Sequence, residues 1–436
     1  MTIDWVEGDA LGLALPANAD ALRNGGGEWL SKAFRASGAL GLNARVARIT
    51  DARELAVGGT GAKMLLSVEY EGDAERLPAD LFVKFSRNFQ DPVRDVNAHH
   101  MRAEVKFAAL SREPSFPITV PQCLFTDFNA DTDTGLIITD RIAYGQGRIE
   151  PQIYKCMDHL LPDALGHYRA IVKSLAKLAG SHKAGKLGPV ADRDFPLDTE
   201  RFWKGDRNPY KPDALVRRVQ RLSNFVSEFP CLFPAGVDDL EFLRSFVAVA
   251  PTFLDREDEI KTWLHRDTDY IALCHWNANI DNGWFWREDD GSLGCGLIDW
   301  GSVGQIHLGM ALWGCLSGAE PELWDEHLDE LLQLFITEYR SSGGPQIDSG
   351  TLAAQLDLYV MTMGLAWLME APVRVREEIP DPSVLSGPHD PLLAVNETSR
   401  VQLKIIGNVL NLWRTRDLGR YLQAGASISE LAAIAA

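Results

Sequence analysis

The stretch His275-Trp-Asn-Ala-Asn-Ile-Asp-Asn282, followed by Gly296-Leu-Ile-Asp-Trp-Gly301, decides the fold of this 436-residue chain. The first segment comes directly after the apolar run Ile271 to Cys274 and is rich in side chains that bind metals or form hydrogen bonds. The second segment is β-rich and contains one acidic residue, Asp299. A polar loop followed by a strand of this kind would bring Asn282 and Asp299 together as oxygen ligands for a hard cation such as Mg²⁺. The alternative interpretation is a β-hairpin with asparagine-rich turns.

Residues 44–143 have the pattern of strands with one helix among them. Strand-like runs occur at Arg45 to Thr50, Met64 to Tyr70, Leu81 to Phe85 and Gly135 to Thr139. Between Asn97 and Leu110 the apolar residues follow helical spacing instead, and two prolines come shortly afterwards. This part of the chain is therefore predicted to be a mostly antiparallel sheet with one helix.

The chain after about residue 144 is dominated by long helical patterns. The candidate helices cover residues 159–183, 213–229, 237–247, 324–339, 351–371 and 401–422. Residues 184–212 are predicted to be a loop-rich insertion, and the proline-rich segment 376–393 a rim or lid. The class is thus α+β and bilobed, with a small antiparallel β lobe (1–142), a large helical lobe (143–436) and a site in the cleft.

The charge balance restricts the choice of partners. Lys and Arg total 43 against 61 Asp and Glu, which gives a formal net charge of −18. Nucleic acid and anionic membrane surfaces both require a basic field, so we expect neither as a partner. The first residues lack the pattern of a signal peptide, and no run of about 18 apolar residues predicts a membrane span. The six cysteines are widely spaced, which favours reduced thiols in the cytoplasm.

Three further features could carry chemistry, and each has a plainer alternative. Gly58, Gly59 and Gly61 lie between two strand patterns, where they either let backbone amides approach phosphate oxygens or form a hairpin turn. Lys84 interrupts an apolar strand, either as a phosphate-contacting lysine held by a carboxylate or as a solvated lysine of an edge strand. Glu104 on the predicted helix is its candidate partner, or else a solvated helix charge.

Taken in order along the chain, these motifs resemble the aminoglycoside phosphotransferase and choline kinase superfamily, which has a protein kinase-like fold. The nearest likeness is to the ecdysteroid-kinase-like branch. Ala103-Glu-Val-Lys-Phe-Ala-Ala-Leu110 is similar to its glutamate helix, and Val120-Pro-Gln-Cys123 with Gly135-Leu-Ile-Ile-Thr-Asp140 is similar to its approach to the interlobe hinge. Leu175-Ala-Lys-Leu-Ala-Gly-Ser-His182 is similar to its helix ending in Ala-x-Leu-His, and the resemblance covers about residues 58–339.

The resemblance implies ATP and Mg²⁺ as cofactors and a small-molecule acceptor as the other partner. By this resemblance, the nucleotide phosphates would be covered by Gly58, Gly59 and Gly61 and contacted by Lys84, which Glu104 would orient. The adenine would lie near Thr139, Asp140 and Arg141. Mg²⁺ would be held by Asn282 and Asp299, and His275 would brace the catalytic loop.

The catalytic loop departs from the family pattern at its most important position. The family loop reads His-Gly-Asp-x-x-x-x-Asn, and its aspartate accepts the proton of the substrate hydroxyl. Here the spacing from His275 to Asn282 is kept, but Asn277 replaces the aspartate. An amide cannot act as a base, and Asp281 is the candidate substitute. A second family aspartate falls on Gly309.

Three hypotheses follow from this departure. The first is an ATP- and Mg²⁺-dependent phosphotransferase that acts on a hydroxyl of a small molecule with an unusual catalytic loop, because phosphoryl transfer relies mainly on positioning and electrostatics. The second is a pseudokinase that binds nucleotide or a small molecule without turnover. The third is a different nucleotide-dependent transfer on the same fold.

Overall fold

The computed structural model describes residues 3–55, 60–198, 200, 205, 207–423 and 425–434. The chain forms two compact units, one made of residues 1–149, 187–195 and 296–303, and the other of residues 150–186, 196–295 and 304–436. The predicted α+β class, with a small antiparallel sheet and a large helical part, is confirmed. The assignment of separate roles to residues 1–142 and 143–436 stays a prediction.

The first unit is built on a five-stranded antiparallel sheet in the order β3-β4-β5-β7-β6. The strands of this unit are β1 (Trp5–Glu7), β2 (Ala14–Pro16), β3 (Ala44–Leu55), β4 (Ala62–Gly72), β5 (Asp80–Phe85), β6 (Cys123–Asn129) and β7 (Thr134–Asp140). Alternation decides which side chains are buried: Met64, Leu66 and Val68 enter the core from one face of β4. Since β5 lies between β4 and β7, a lysine on β5 is inside the sheet and not at its edge.

Among the described residues of the first unit, four segments form α-helices with the bounds Ala19–Ala36, Pro92–Asp95, Met101–Leu110 and Pro189–Asp194. The helix Met101–Leu110 follows the spacing expected from the sequence and buries Met101, Val105 and Phe107 together with the acidic Glu104. The predicted loop-rich segment 184–212 contains the short helix Pro189–Asp194. Its residues 199, 201–204 and 206 lie outside the described residues.

The second unit is mostly helical. Its helices are Ala164–Lys183, Pro212–Glu228, Leu240–Val249, Phe253–His265, Leu308–Leu316, Pro321–Ser341, Ser349–Trp367, Ala371–Glu378, Pro391–Val395, Glu397–Thr415 and Ile428–Ile434. The strands β8 (Ile271–Cys274) and β11 (Gly304–His307) pair antiparallel, and β9 (Gly283–Arg287) pairs with β10 (Leu293–Leu297). In the proline-rich segment, Pro382 and Pro391 lie at helix starts, where the missing N–H costs nothing.

The helix Ser349–Trp367 is buried along nearly its whole length, as expected for the core helix of a large domain. It buries one charge, Asp357, which accepts hydrogen bonds from the guanidinium groups of Arg416 and Arg420. Among the described residues, no single helix is long and apolar enough to cross a membrane. The bent pair Ser349–Trp367 and Ala371–Glu378 meets that criterion only when its two helices are taken together.

Gly309 lets the helix Leu308–Leu316 approach the core helix Ser349–Trp367 closely. A Cβ atom at position 309 would lie 2.7 Å from the carbonyl carbon of Gln355 and 2.8 Å from the amide nitrogen of Leu356. Both contacts are with backbone, which cannot move aside as a side chain can. The absence of an aspartate at this position therefore has a packing reason, since an acidic side chain does not fit between the two helices.

We expect Gly309→Ala to lower the free energy of unfolding by about 1–3 kcal/mol, because overpacking forces the two helix backbones apart. Gly407→Ala is the matched control within a helix, where the nearest atom to a new Cβ is Cδ of Pro234, at 3.3 Å. The control should change stability by less than about 1 kcal/mol, because alanine favours the helix. Urea unfolding of both variants measures the difference, and equal stabilities would contradict the packing argument.

Candidate functional site

Lys84 is the centre of a buried charge cluster in the first unit. Its Nζ donates hydrogen bonds to Oε2 of Glu104 at 2.6 Å and to Oδ1 of Asp299 at 2.7 Å. Lys84 and Glu104 are 7% and 8% exposed, so neither is a solvated surface charge. The structure thus brings together a strand lysine, a helix glutamate and an aspartate that lies 215 positions further along the chain than Lys84.

Asp299 is held in this position by its neighbours in the Ile-Asp-Trp segment. The indole of Trp300 stacks on Phe107, with ring centroids 3.9 Å apart and 19° between the ring planes. Since Phe107 and Glu104 lie on one helix, this stacking fixes the aspartate to the helix that carries the glutamate. The Trp300 indole also donates to the carbonyl of Leu297, whose amide donates to the carbonyl of Thr119.

The backbone at Asp299 has a left-handed conformation, with φ of +60°. Non-glycine residues adopt this conformation at some energetic cost, which surrounding structure must offset. The side chain of Asp299 remains 55% exposed even though one oxygen binds Lys84. Asp299 therefore combines a constrained backbone with a carboxylate that a bound cation can reach.

The electrostatics of the cluster favour a charged lysine. Burial alone would lower the pKa of Lys84, but the charges of Asp299 and Glu104 outweigh burial and raise it above its ordinary value. Burial raises the pKa of Glu104, and the neighbouring charge of Asp299 adds to that increase. One ammonium thus serves two carboxylates. Of these two carboxylates, Asp299 is the more exposed to solvent.

A second lysine, Lys63, lies beside this cluster and was missed by the sequence analysis. It is directly opposite Lys84 in the register of β4 and β5, and its Nζ donates to the carbonyl of Thr60 at 3.2 Å. Burial, together with the positive charge of Lys84, lowers the pKa of Lys63 to about 8. Like charges on directly opposed strand positions are destabilising. The only signal in the sequence was a lysine two positions after the glycine cluster, which does not reveal the strand register.

The loop from His275 to Asn282, in the second unit, is ordered by hydrogen bonds among its own polar groups. His275 is fully buried, and its Nδ1 accepts a hydrogen bond from the backbone N–H of Asn277 at 3.0 Å. The Asn279 amide donates to Oδ1 of Asn277, and its own Oδ1 accepts from the hydroxyl of Ser317 at 3.0 Å. The Asn282 amide donates to the backbone carbonyl of Asn277 at 2.8 Å, which leaves its oxygen as the group suited to a cation.

The helix Leu308–Leu316 also fixes this loop, because its backbone packs closely against the backbone of the loop. A Cβ atom at Gly314, on the helix Leu308–Leu316, would lie 1.9 Å from the carbonyl oxygen of Trp276. The helix therefore supports the loop through direct backbone contact. Trp276 itself is 36% exposed.

The predicted adenine-side residues lie where β7 ends. The hydroxyl of Thr139 donates to the carbonyl of Asp140, and the carboxylate of Asp140 accepts from the amide of Gln122 at 2.6 Å. The guanidinium of Arg141 pairs with Asp80 on β5 at 2.8 Å. These contacts hold the end of β7 against its neighbours, and an adenine-binding role for the three residues stays a prediction.

The other predicted residues are placed as follows. Gly58 and Gly59 lie outside the described residues. Gly61 has φ of +60°, and a Cβ atom there would lie 1.9 Å from the carbonyl oxygen of Phe85, so the turn requires glycine. Asp281 is partly buried within the 3₁₀ turn Ile280–Asn282.

Asn282 and Asp299 have the donor chemistry that Mg²⁺ requires, since one offers an amide oxygen and the other a carboxylate. Asn282 is buried and held by the loop, and Asp299 is half-exposed. The two residues belong to different units, and their predicted convergence on one cation stays a prediction.

A scan against protein-family models found no match, and no curated protein sequence matched the chain. Solved structures do align with it. A microcompartment-associated aminopropanol kinase is 16% identical, with a TM-score of 0.41 and coverage of 85% of this chain and 94% of that one. A spectinomycin phosphotransferase solved with ADP and spectinomycin is 12% identical, with a TM-score of 0.43 and coverage of 85% and 94%. An ethanolamine kinase from Plasmodium vivax is 12% identical, with a TM-score of 0.42 and coverage of 84% and 83%.

All three are named as kinases or phosphotransferases of small molecules, the superfamily that the motifs of this chain resemble. The finer likeness to the ecdysteroid-kinase-like branch stays a prediction.

We expect Lys63→Met to raise the free energy of unfolding at pH 7 by up to about 3 kcal/mol, because a charged Lys63 destabilises the folded state. Since its folded pKa of about 8 lies below its ordinary value of 10.5, the folded parent holds fewer protons than the unfolded chain between those two pH values. The free energy of unfolding of the parent therefore rises between about pH 8 and pH 10.5, and the stability advantage of Lys63→Met becomes smaller over the same range.

Urea unfolding at pH 7 and pH 9.5 tests this. Lys32→Met is the matched control, since Lys32 is a well-exposed lysine that pairs with Glu28 on the helix surface. If Lys63→Met is no more stable than the parent at pH 7, or if its advantage is the same at both pH values, then a charged Lys63 does not destabilise the folded state.

Proposed function

We propose that this chain binds a nucleoside triphosphate with Mg²⁺ and transfers the terminal phosphoryl group to a hydroxyl of a small molecule. The observation that carries the proposal is the cluster of the buried Lys84 and Glu104 with the half-exposed Asp299. A buried ion cluster contributes little net stability compared with apolar packing, so its presence calls for another reason. Perturbed charges of this kind are concentrated at functional sites.

Each residue of the cluster has a proposed role. Lys84 contacts the α- and β-phosphates, Glu104 orients its ammonium, and Asp299 joins Asn282 in holding Mg²⁺. The metal, when bound, supplies the positive charge that offsets the charge on the phosphates. Gly58, Gly59 and Gly61 cover the phosphates, and Thr139 to Arg141 lie beside the adenine. Lys84 is protonated at neutral pH in every case, because its raised pKa keeps it charged.

The acceptor is proposed to be a neutral or cationic hydroxylated small molecule. The formal charge of −18 disfavours nucleic acid, but it does not disfavour a nucleotide whose phosphates meet a lysine and a metal. All six cysteines are present as thiols. A reducing compartment, the cytoplasm, is the location that we propose on this basis.

Asn277 favours a second candidate function, a pseudokinase that binds nucleotide without transferring a phosphoryl group. Its Oδ1 accepts a hydrogen bond from Asn279, so the amide is engaged within the loop and carries no charge. A loop without a base is suited to binding and not to proton removal. Two alternatives remain. In one, Asp281 acts as the base in place of residue 277, and in the other the chain catalyses a different nucleotide-dependent transfer.

We expect isothermal calorimetry to detect one Mg²⁺-ATP site in the parent and a loss of about 10–100-fold in affinity for Asp299→Asn, since interactions with charged groups contribute about 1.5–3 kcal/mol. Asp20→Asn, at a well-exposed carboxylate of the same unit, is the control and should bind like the parent. A parent that binds no Mg²⁺-ATP would overturn both candidate functions.

We expect Asn277→Asp to increase ATP consumption by about 10²–10⁴-fold on the acceptor that the parent turns over most, because a general base contributes that much. The assay uses a panel of alcohols, amino alcohols and sugars. Asn279→Asp adds the same charge two positions away and should give no gain. Bound ATP without turnover in either the parent or Asn277→Asp would reject transfer and leave the pseudokinase.

A further inference from the structure

A second cluster of ligand-type side chains lies in the second unit. His159 belongs to the 3₁₀ turn Asp158–Leu160, Glu320 precedes the first residue of the helix Pro321–Ser341, and His389 lies in the proline-rich segment. Nδ1 of His159 is 3.7 Å from Oε1 of Glu320, and Nε2 of His389 is 3.3 Å from both carboxylate oxygens. The two imidazoles stack with centroids 4.0 Å apart.

The separation of His389 from Glu320 equals the edge of a tetrahedral metal coordination shell, and the separation of His159 from Glu320 is longer. Zinc–ligand bonds of about 2.0–2.1 Å at tetrahedral angles place neighbouring ligand atoms about 3.3 Å apart. One nitrogen from each histidine and one oxygen of Glu320 all lie within 4.8 Å of one another. For these three atoms to meet at one ion, they must move closer together, and the stacked imidazoles must rotate so that both lone pairs point to it.

The surroundings prepare Glu320 for this role. The ammonium of Lys404, itself buried, donates to Oε2 of Glu320 at 2.6 Å. Oε1, which is the oxygen nearer to His159, then remains for an ion. A hydrogen-bonding partner behind a ligand carboxylate is the usual arrangement at metal sites, because it fixes the orientation of the ligand.

Two buried polar atoms beside Glu320 lack a hydrogen-bond partner among the described residues. One is Nδ1 of His159, and the other is Oδ1 of the fully buried Asp158. The other carboxylate oxygen of Asp158 accepts from the hydroxyl of Tyr168 at 3.1 Å and from the amide of Glu320 at 3.2 Å. Buried polar atoms are nearly always paired, and Nδ1 of His159, which lies near Glu320, is therefore available as a ligand atom.

We propose that His159, Glu320 and His389 bind a divalent transition metal of the Zn²⁺ class. Two imidazoles and a carboxylate are the ligand set that zinc takes in sites with an open position, whereas Mg²⁺ prefers oxygen ligands. The site is separate from the residues of the proposed nucleotide site and does not depend on that proposal. The competing interpretation is an ion pair of Glu320 and Lys404 with two neutral imidazoles beside it.

A metal here would join three segments that are distant in sequence. The 3₁₀ turn at 158–160, the start of the helix Pro321–Ser341 and the proline-rich segment 376–393 would each supply one ligand. The segment predicted from composition to be a rim or lid would then be fastened to the unit by the ion.

The test is a titration of the full chain with Zn²⁺, in which binding is measured by isothermal calorimetry. Co²⁺ in place of Zn²⁺ reports tetrahedral geometry through its absorption spectrum. We expect one equivalent of Zn²⁺ in the parent and a loss of at least about 100-fold in affinity for His389→Ala and for Glu320→Gln, since even outer-shell partners of a ligand are worth about 10–100-fold. Saturating Zn²⁺ should raise the Tm of the parent by about 2 °C or more, and leave that of His389→Ala unchanged.

Two controls separate this site from others. His327→Ala removes a histidine that forms a surface pair with Glu330 at 3.6 Å, and it should bind Zn²⁺ like the parent. Asp299→Asn should also bind Zn²⁺ like the parent, so that failure of the nucleotide proposal and failure of the metal proposal are distinguished. His389 is 45% exposed, so its alanine variant should fold, and far-UV circular dichroism checks this. Absence of Zn²⁺ binding in the parent, or equal binding in His389→Ala, would overturn the proposal in favour of the ion pair.

Discussion

The need to neutralise one ammonium inside a β-sheet organises the first unit. Lys84 lies on a central strand, where water cannot solvate it, so the fold must supply negative charge from elsewhere. It does so twice, through Glu104 on a helix and through Asp299 on a distant segment. The stacking of Trp300 on Phe107 ties these two sources to each other. Strand, helix and returning segment therefore meet at a single ammonium group.

The loop in the second unit follows a different principle. Its shape comes from amide-to-amide and amide-to-backbone hydrogen bonds among Asn277, Asn279 and Asn282, with Ser317 as an anchor. None of these interactions needs a net charge. The asparagine at position 277 can therefore keep the loop folded without supplying a base.

Much of this arrangement could be predicted from the sequence. A lysine within an apolar strand and a glutamate on the next helix are local patterns, and the pairing of Lys84 with Glu104 was implied by the resemblance of the motif order to the phosphotransferase superfamily. The α+β class followed from the change from strand periodicity to helical periodicity near residue 144. These features depend on short windows or on chain order, which a sequence displays directly.

The remaining features depend on register and on long-range packing. Lys63 faces Lys84 only because of the pairing of β4 with β5, which is not encoded in either strand alone. The contact of Asp299 with Lys84 requires a left-handed backbone that its sequence does not signal. From the sequence, Gly309 was notable only because the resemblance places an aspartate there. The structure shows that a glycine is required, because the backbone of the neighbouring helix leaves no room for a side chain. The two histidines and the glutamate of the proposed metal site come from three separate segments.

The helix Leu308–Leu316 touches backbone at two of its glycines, Gly309 against the core helix and Gly314 against the loop. The spacing between core and loop is thus set by main-chain atoms, whose dimensions are the same for every amino acid. Apolar side chains elsewhere in the unit can be exchanged over evolutionary time without displacing the loop, provided that both glycines stay. A chain built in this way can accept many side-chain substitutions while keeping the backbone geometry of this loop.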